Sequence, residues 1–261
     1  MRVLATNFAP MSNDRAGTSE DAVLGGRLVL KQPLRGHRFG HDAILLAAAV
    51  PAREGQHAIE LGAGVGAAGL ALAHRVGGLA VTLVEIDPAL TALAAENAAR
   101  NGLADRVRAV CLDIAAQTEA FAAEELRPQS ADHVLMNPPF NPPQNPSADA
   151  GRRLAHVASD ETVRQWTETA MRLLRPDGVL TLIWRADGLA DVLAALSEAF
   201  GAISVLPIYP KPEMSAIRVL VRAAKGSRAP LVLLPGLLLA DARGTPTPKA
   251  EAVLRMGGAL P

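Results

Sequence analysis

Apolar and polar positions change period repeatedly along this chain. From Gly55 onward, short runs rich in β-branched and aliphatic residues alternate with Ala/Leu-rich runs of helical period. HAIELGAG (57–64) precedes AAGLALAHRV (67–76), LAVTLVEI (79–86) precedes PALTALAAENAARNG (88–102), and VRAVCLDI (107–114) precedes an acidic helical run reaching about Leu126. DHVLMN (132–137), a helical run near 160–174, VLTLIWR (179–185) and a helical run at 187–200 continue the series. Strands that recur with helical spacers predict βαβ units, hence a parallel sheet covered on both faces. Pro88 suits a first helical turn, Gly102 and Gly178 suit helix exits, and Asp187 suits an N-cap.

After Gly201 the pattern turns strand-rich. ISVLPIYP (203–210) and AIRVLVRA (216–223) are joined only by the short KPEMS segment, whereas a parallel crossover needs about a dozen residues. An antiparallel hairpin at the sheet's edge is therefore expected. LVLLPGLLLAD (231–241) predicts a further short strand pair, and 248–256 a terminal helix. Residues 1–20 show neither period and are expected to form a loose arm. At roughly 150 residues per domain, the 261 residues predict a single domain over 21–261, with 21–54 as an N-terminal region ahead of the alternating elements and 226–261 as an extension.

Composition narrows the class. Hydrophobic residues make up 49% and aromatic residues 3%, a balance suited to helices packed on a sheet and contrary to disorder. The 26 basic and 26 acidic residues cancel, so no global basic field is present. Cys111 stands alone, which excludes an intramolecular disulfide framework or a multi-cysteine metal site and fits a reducing compartment. The apolar stretches Ala43 to Ala52 and Leu231 to Ala240 are interrupted by Pro and fall short of the about 20 residues of a membrane span. Polar Asn7, Ser12, Asn13 and Asp14 break up any signal-like pattern at the start. A cytoplasmic protein without a membrane partner is the expectation.

IELGAGVGAAG (59–69) leaves a strand and enters a helix, where glycines let the backbone turn tightly and approach a ligand. Gly64, Gly66 and Gly69 satisfy G-x-G-x-x-G, and Glu85, about 20 residues on, stands where a carboxylate accepts both ribose hydroxyls. Read alone, that pattern admits NAD. Glu60 favours another occupant, because an acid just ahead of the loop would repel a pyrophosphate and attract a cation such as that of S-adenosylmethionine (SAM). These residues resemble the class I SAM-dependent methyltransferases, whose first motif runs acid-x-G-x-G-x-G, matched by Glu60, Gly62, Gly64 and Gly66. The resemblance implies an α/β, Rossmann-like methyltransferase fold: a mostly parallel seven-stranded sheet with an antiparallel edge hairpin and helices on both faces. It also implies Glu85 as the ribose acid, Ile86 beside the adenine, and Asp113 with Ile114 near the adenine amino group. A helix-capping role is the plain structural alternative for Glu85 and Asp113.

MNPPF (136–140) falls at the expected C-terminal end of the fourth strand of that series, where open α/β sheets bind ligands. Two consecutive prolines end the ladder and stiffen the chain. A purine's exocyclic amine is a poor nucleophile because its lone pair is delocalised into the ring, so a catalyst must hold the N–H groups and favour a pyramidal nitrogen. The Asn137 side-chain oxygen and the Pro138 carbonyl can accept those hydrogen bonds while Phe140 stacks on the base. The element resembles the (N/D)-P-P-(Y/F) motif of methyltransferases acting on adenine N6, guanine N2, cytosine N4 or a glutamine amide. That implies Asn137, Pro138, Pro139 and Phe140 as the catalytic element, Asn137 also touching the cofactor, S-adenosylhomocysteine as product and no metal. Asn141, Pro142 and Pro143 repeat the pattern, and nothing in the sequence explains the duplication.

The segment 24–52 resembles the N-terminal signature of bacterial tRNA-modifying adenine-N6 methyltransferases acting on the anticodon-loop adenine of valine tRNA. The matching residues are Gln32, Pro33, Gly36, His37, Arg38, Phe39, Asp42, Leu45, Leu46 and Ala47, within a likeness spanning roughly residues 20–225. Phe140 departs from that family's usual Tyr and matches ribosomal guanine-N2 methyltransferases. Guanine N2 and a protein glutamine therefore stay open as acceptors, as does a noncatalytic SAM- or RNA-binding module. Locally sorted charge supports an RNA partner, with tRNA the expectation. Arg27, Lys31, Arg35 and Arg38 lie together without acids, and Lys211, Arg218, Arg222, Lys225 and Arg228 outnumber Glu213. Arg35, Arg38, Arg218 and Arg222 are the expected phosphate contacts, with ordinary solvated surface as the alternative. His37 and His41 would need a third partner to hold a metal, and an RNA contact or a helix-capping role suits them better. Glu119, Glu124 and Glu125 gather elsewhere, on a helix expected to face away from the active edge. The sequence leaves the oligomeric state open.

Overall fold

The structure, a computed structural model, describes residues 17–35, 38–139 and 150–261, with the backbone alone over 150–160. Strands β1 (Thr18–Val23) and β2 (Leu28–Pro33) pair antiparallel as a separate hairpin and bury alternate residues. Thr18 to Glu20, expected in a loose arm, thus belong to a strand. Its inward positions include Ser19 and Asp21, both 2% exposed, so a period of two is present but not written in hydrophobic residues.

After α1 (His41–Ala49) come the alternating elements: β3 (His57–Leu61), α2 (Ala67–Arg75), β4 (Ala80–Glu85), α3 (Pro88–Arg100), β5 (Val107–Cys111), α4 (Thr118–Ala123) and β6 (Ala131–Met136). They continue with α5 (Ala150–Leu173), β7 (Leu174–Arg185), α6 (Leu189–Leu196), β8 (Phe200–Tyr209) and β9 (Arg218–Lys225). The two-residue strands β10 (Val232–Leu233) and β11 (Leu237–Leu238) precede α7 (Pro248–Leu254). The main sheet runs β10-β8-β9-β7-β6-β3-β4-β5, with β11 also on β8. β7, β6, β3, β4 and β5 are parallel, and β9 is antiparallel to both β7 and β8.

The sheet therefore has nine strands among the described residues, two more than expected. The β8–β9 hairpin exists, but β9 inserts beside β7 and the edge of β8 is covered by β10 and β11. Those two short strands do not pair with each other. Pro235 supplies no ladder N–H, and the chain continues along β8 in one direction, with Val232 opposite Ser204 and Leu237 opposite Ile208. Helix α5 starts ten residues earlier than the expected 160 and ends at Leu173, so Gly178 lies inside β7 rather than at a helix exit. Asp187 is not an N-cap either: it forms an ion pair with Arg185 at 2.8 Å, and Gly188 precedes α6. At Asp87, by contrast, the side chain accepts from the Ala89 and Leu90 amides and Pro88 opens α3.

Apolar clusters fill both faces of the sheet. α1, α2, α7 and the hairpin contribute Leu28, Leu45, Leu70 and Val253 to one; α4, α5 and α6 contribute Phe121, Trp166 and Leu196 to the other. The chain turns outward from β3 through β4 to β5, then returns to β6 on β3's other side. A crevice for a ligand is expected beyond the strand ends at that switch. No described helix is long and apolar enough to cross a membrane.

Candidate cofactor and active site

The strand ends at the switch are β3, β4 and β6, and the residues that follow each of them form the site. After β3, Gly62, Gly64 and Gly66 take φ of 65°, 56° and 84°. A Cβ at Gly62 would stand 2.3 Å from the Trp166 ring of α5, so a side chain there collides as well as straining the backbone. At Gly64 a Cβ would meet nothing within 4 Å, so the loop is open on that side. Gly66 opens α2. Nothing in the sequence signals this role for Trp166: its place on the apolar stripe of a helix marks it as core, and only the fold puts it against the loop.

Glu85 ends β4 at 8% exposure. Its Oε2 accepts the Gly64 N–H at 2.7 Å and its Oε1 the Asp87 N–H at 3.0 Å. Each oxygen retains a lone pair, enough for two ribose hydroxyls. Asp87, not Glu85, caps α3. Ile86, directly after it, is 61% exposed, an apolar surface at the crevice rim. Asp113 is exposed and accepts the Ala115 N–H at 2.8 Å, so it does make the capping bond of the structural alternative. Ile114 is held by Thr169, which donates to its carbonyl at 3.0 Å, and it lines a cavity of about 510 Å³ between the Ile114–Gln117 loop and α5.

Glu60 sits differently from the sequence expectation. It is 5% exposed and its Oε2 accepts the Gly69 N–H at 2.6 Å, so it braces the start of α2 from beneath the loop rather than standing open in the crevice. Burial pushes its carboxyl up to about 8, with the nearby Glu85 charge adding to the rise and the Gly69 hydrogen bond opposing it.

After β6 comes Asn137, whose Oδ1 is buried and has no hydrogen-bond partner among the described residues. Pro138 is buried beside it and Pro139 is exposed. Phe140, Asn141, Pro142 and Pro143 lie outside the described residues, as do Gly36 and His37. A buried acceptor without a partner costs about 1–3 kcal/mol, and this one stands directly after the end of β6.

The arginines do not form one patch. Arg38 donates to Asp21 at 2.7 Å and to the Pro33 carbonyl at 2.8 Å, and Arg218 to Asp42 at 2.8 Å. Arg35 is exposed just after β2. Arg222 lies within β9, where partial burial lowers its pKa, and Lys225 is bound to the Met171 and Leu174 carbonyls at the opposite end of the sheet.

A glycine loop, a strand-end carboxylate with spare lone pairs and an Asn-Pro-Pro turn, brought to one edge of a Rossmann-like sheet, define a SAM-dependent methyltransferase. The residues fit that cofactor: the loop is open at Gly64, Glu85 has free acceptor capacity, and Ile86 presents an apolar rim. A family model described as methyltransferase small domain matches residues 38–209, and the chain belongs to that family. It is similar to a tRNA1(Val) (adenine(37)-N6)-methyltransferase of Dickeya chrysanthemi, 32% identical over 74% of each chain. It is also similar to a release factor glutamine methyltransferase of Chlorobaculum tepidum, 30% identical over 64% of this chain and 58% of that one. Among solved structures, a predicted O-methyltransferase from Agrobacterium tumefaciens superposes with a TM-score of 0.72 at 28% identity, covering 84% of this chain and 98% of that one.

Proposed function

We propose that the enzyme methylates the exocyclic N6 of an adenine in RNA, a tRNA anticodon-loop base above all. The unpartnered, buried Oδ1 of Asn137 carries this reading, since it is an acceptor waiting for an N–H at the end of β6. SAM supplies a methyl group on a sulfonium and leaves as S-adenosylhomocysteine. Asn137 accepts one N–H of the amine, the Pro138 carbonyl accepts the other, and the rigid Pro-Pro turn fixes both acceptors before the base arrives. Phe140 provides the stack. Glu85 holds the ribose, Glu60 and Gly62, Gly64 and Gly66 shape the loop around the cofactor, and Ile86, Asp113 and Ile114 flank its adenine. Arg35, Arg38 and Arg218 at the cofactor edge meet phosphate, and a tRNA substrate suits a protein that works in the cytoplasm. The match to the Dickeya chrysanthemi enzyme over most of the chain favours adenine over the other planar amines.

The test is incubation of the protein with labelled SAM and bulk RNA from cells lacking it, followed by nucleoside analysis. N6-methyladenosine in the tRNA fraction supports the reading. Label in a guanosine derivative, or in protein glutamine alone, overturns it. Asn137→Ala should lose at least a hundredfold in turnover while its SAM affinity stays within a few-fold, because the interaction is made with the acceptor amine.

A further inference from the structure

Helix α3 begins beside the ribose acid and ends beneath the N-terminal hairpin, and the asparagine of its last turn, Asn97, and its C-cap, Asn101, stand in for a strand. Among the described residues β2 pairs only with β1. On its other side, Asn97 Oδ1 accepts the Lys31 N–H at 2.7 Å and Nδ2 donates to the Lys31 carbonyl at 2.9 Å. Asn101 treats Val29 the same way, both bonds at 2.9 Å. Each amide thus pairs with one residue of β2 as a neighbouring antiparallel strand would.

Asn97 does more. It is 0% exposed, and its Nδ2 also donates to the Val65 carbonyl at 3.0 Å. Val65 lies between Gly64, whose amide Glu85 holds, and Gly66, which opens α2. One buried amide therefore grips the cofactor loop and the hairpin together, while Asn101 grips the hairpin alone. Because β2 runs antiparallel to α3, Pro33 returns to the sheet edge where α3 starts. There Gln32 accepts the Phe39 N–H at 3.2 Å and donates to Asp21 at 2.6 Å, tying Phe39 to the hairpin.

We infer that Asn97 is a positioning residue that couples cofactor occupancy of the glycine loop to the rigidity of the N-terminal hairpin. A ligand that narrows the loop's motion also fixes the Val65 carbonyl, and the shared amide passes that restriction to Lys31, since releasing either side leaves a buried polar group unpaired. By linkage, a hairpin locked in place raises SAM affinity by the same factor. The coupling does not depend on which acceptor is methylated, so a wrong acceptor assignment would leave it untouched.

Hydrogen exchange of the full chain with and without saturating SAM tests this, with SAM binding followed by calorimetry on the same samples. In wild type, exchange at the Val29 and Lys31 amides should slow at least tenfold with SAM. In Asn101→Ala both amides should exchange faster, yet the SAM-dependent slowing at Lys31 should persist and SAM affinity should hold. Asn97→Ala should abolish the slowing and weaken SAM at least fivefold. Unchanged hairpin exchange in SAM-saturated wild type, or slowing retained in Asn97→Ala, overturns the proposal. Should Asn97→Ala not fold, wild type and Asn101→Ala decide it: slowing in both supports the coupling through Asn97, and slowing lost in Asn101→Ala assigns it to hairpin docking in general and overturns it.

Discussion

At the scale of single residues, the loop after β3 depends on small and buried groups whose surroundings leave little room for change. Gly62 is the clearest case, with a φ of 65° and the Trp166 ring 2.3 Å from where a Cβ would stand. Gly62→Ala should cost about 1–3 kcal/mol through overpacking and backbone strain. Adding Trp166→Leu should recover the overpacking part and leave the strain. Denaturant unfolding of the two singles and the double measures that interaction, and strict additivity would show that the ring is not the obstacle. Glu60 supplies a second test. Its folded-state pKa of about 8 lies above the ordinary 4.5. Its contribution to stability is therefore fully present below about 4.5 and is lost as pH rises through about 8. Glu60→Gln keeps an acceptor for the Gly69 amide and removes the titration, so thermal melts of the SAM-free protein should lose less stability between pH 6 and 9 than wild type. Parallel curves for the two proteins would refute the buried, protonated carboxyl. Neither effect was legible in the sequence. The motif located Glu60 beside the loop, but its turn inward onto Gly69 follows from a strand whose last four residues are all buried.

At the scale of elements, what could be read was whatever a hydrophobic period writes. The strands from β3 to β6 and the helices between them lie within a few residues of where the sequence pattern puts them, because apolar runs of strand length alternate there with helical ones and Pro88 and Gly102 punctuate them. The Asn-Pro-Pro turn and the glycine loop were placed at strand ends for the same reason. Elements held by polar side chains escaped. β1 buries Ser19 and Asp21, and β2 is completed on its open side by Asn97 and Asn101, whose spacing of four residues on α3 also suits an ordinary solvated face. β10 and β11 escaped in a different way. The motif LVLLPGLLL reads as two strands around a turn, yet Pro235 and Gly236 only interrupt one edge that advances along β8. Gly236 is pressed there against the Tyr209 ring, a contact between residues far apart in sequence that no local pattern announces.

At the scale of the whole molecule, a net charge of zero conceals a division between the two ends of the sheet. β9 spans Arg218 to Lys225, which at roughly 3.3 Å per residue separates its ends by about 23 Å. The basic run from Lys211 to Arg228 is therefore not one surface. Arg218, opposite Arg185 at the end of β7, belongs to the cofactor edge together with Arg35 and Arg38. Lys225, opposite Phe200 at the start of β8, belongs to the far end, and the chain there leads on to exposed Arg228. An RNA whose target base entered the crevice after β6 would meet the first group beside that base, whereas the second group stands at the other end of the sheet. Arg35 is the most informative of them, because it is exposed, whereas Arg38 and Arg218 are engaged with Asp21 and Asp42. Arg35→Gln should weaken tRNA binding and reduce the slope of log affinity against log salt by about 0.7–0.9, the loss of one phosphate contact. Arg228→Gln should leave both affinity and slope at the wild-type value, and neither change should alter SAM affinity. A salt titration of tRNA binding by wild type and the two variants measures this. If Arg228→Gln lowers the slope and Arg35→Gln does not, the RNA lies across the far end of the sheet, and the cofactor edge is not its binding face.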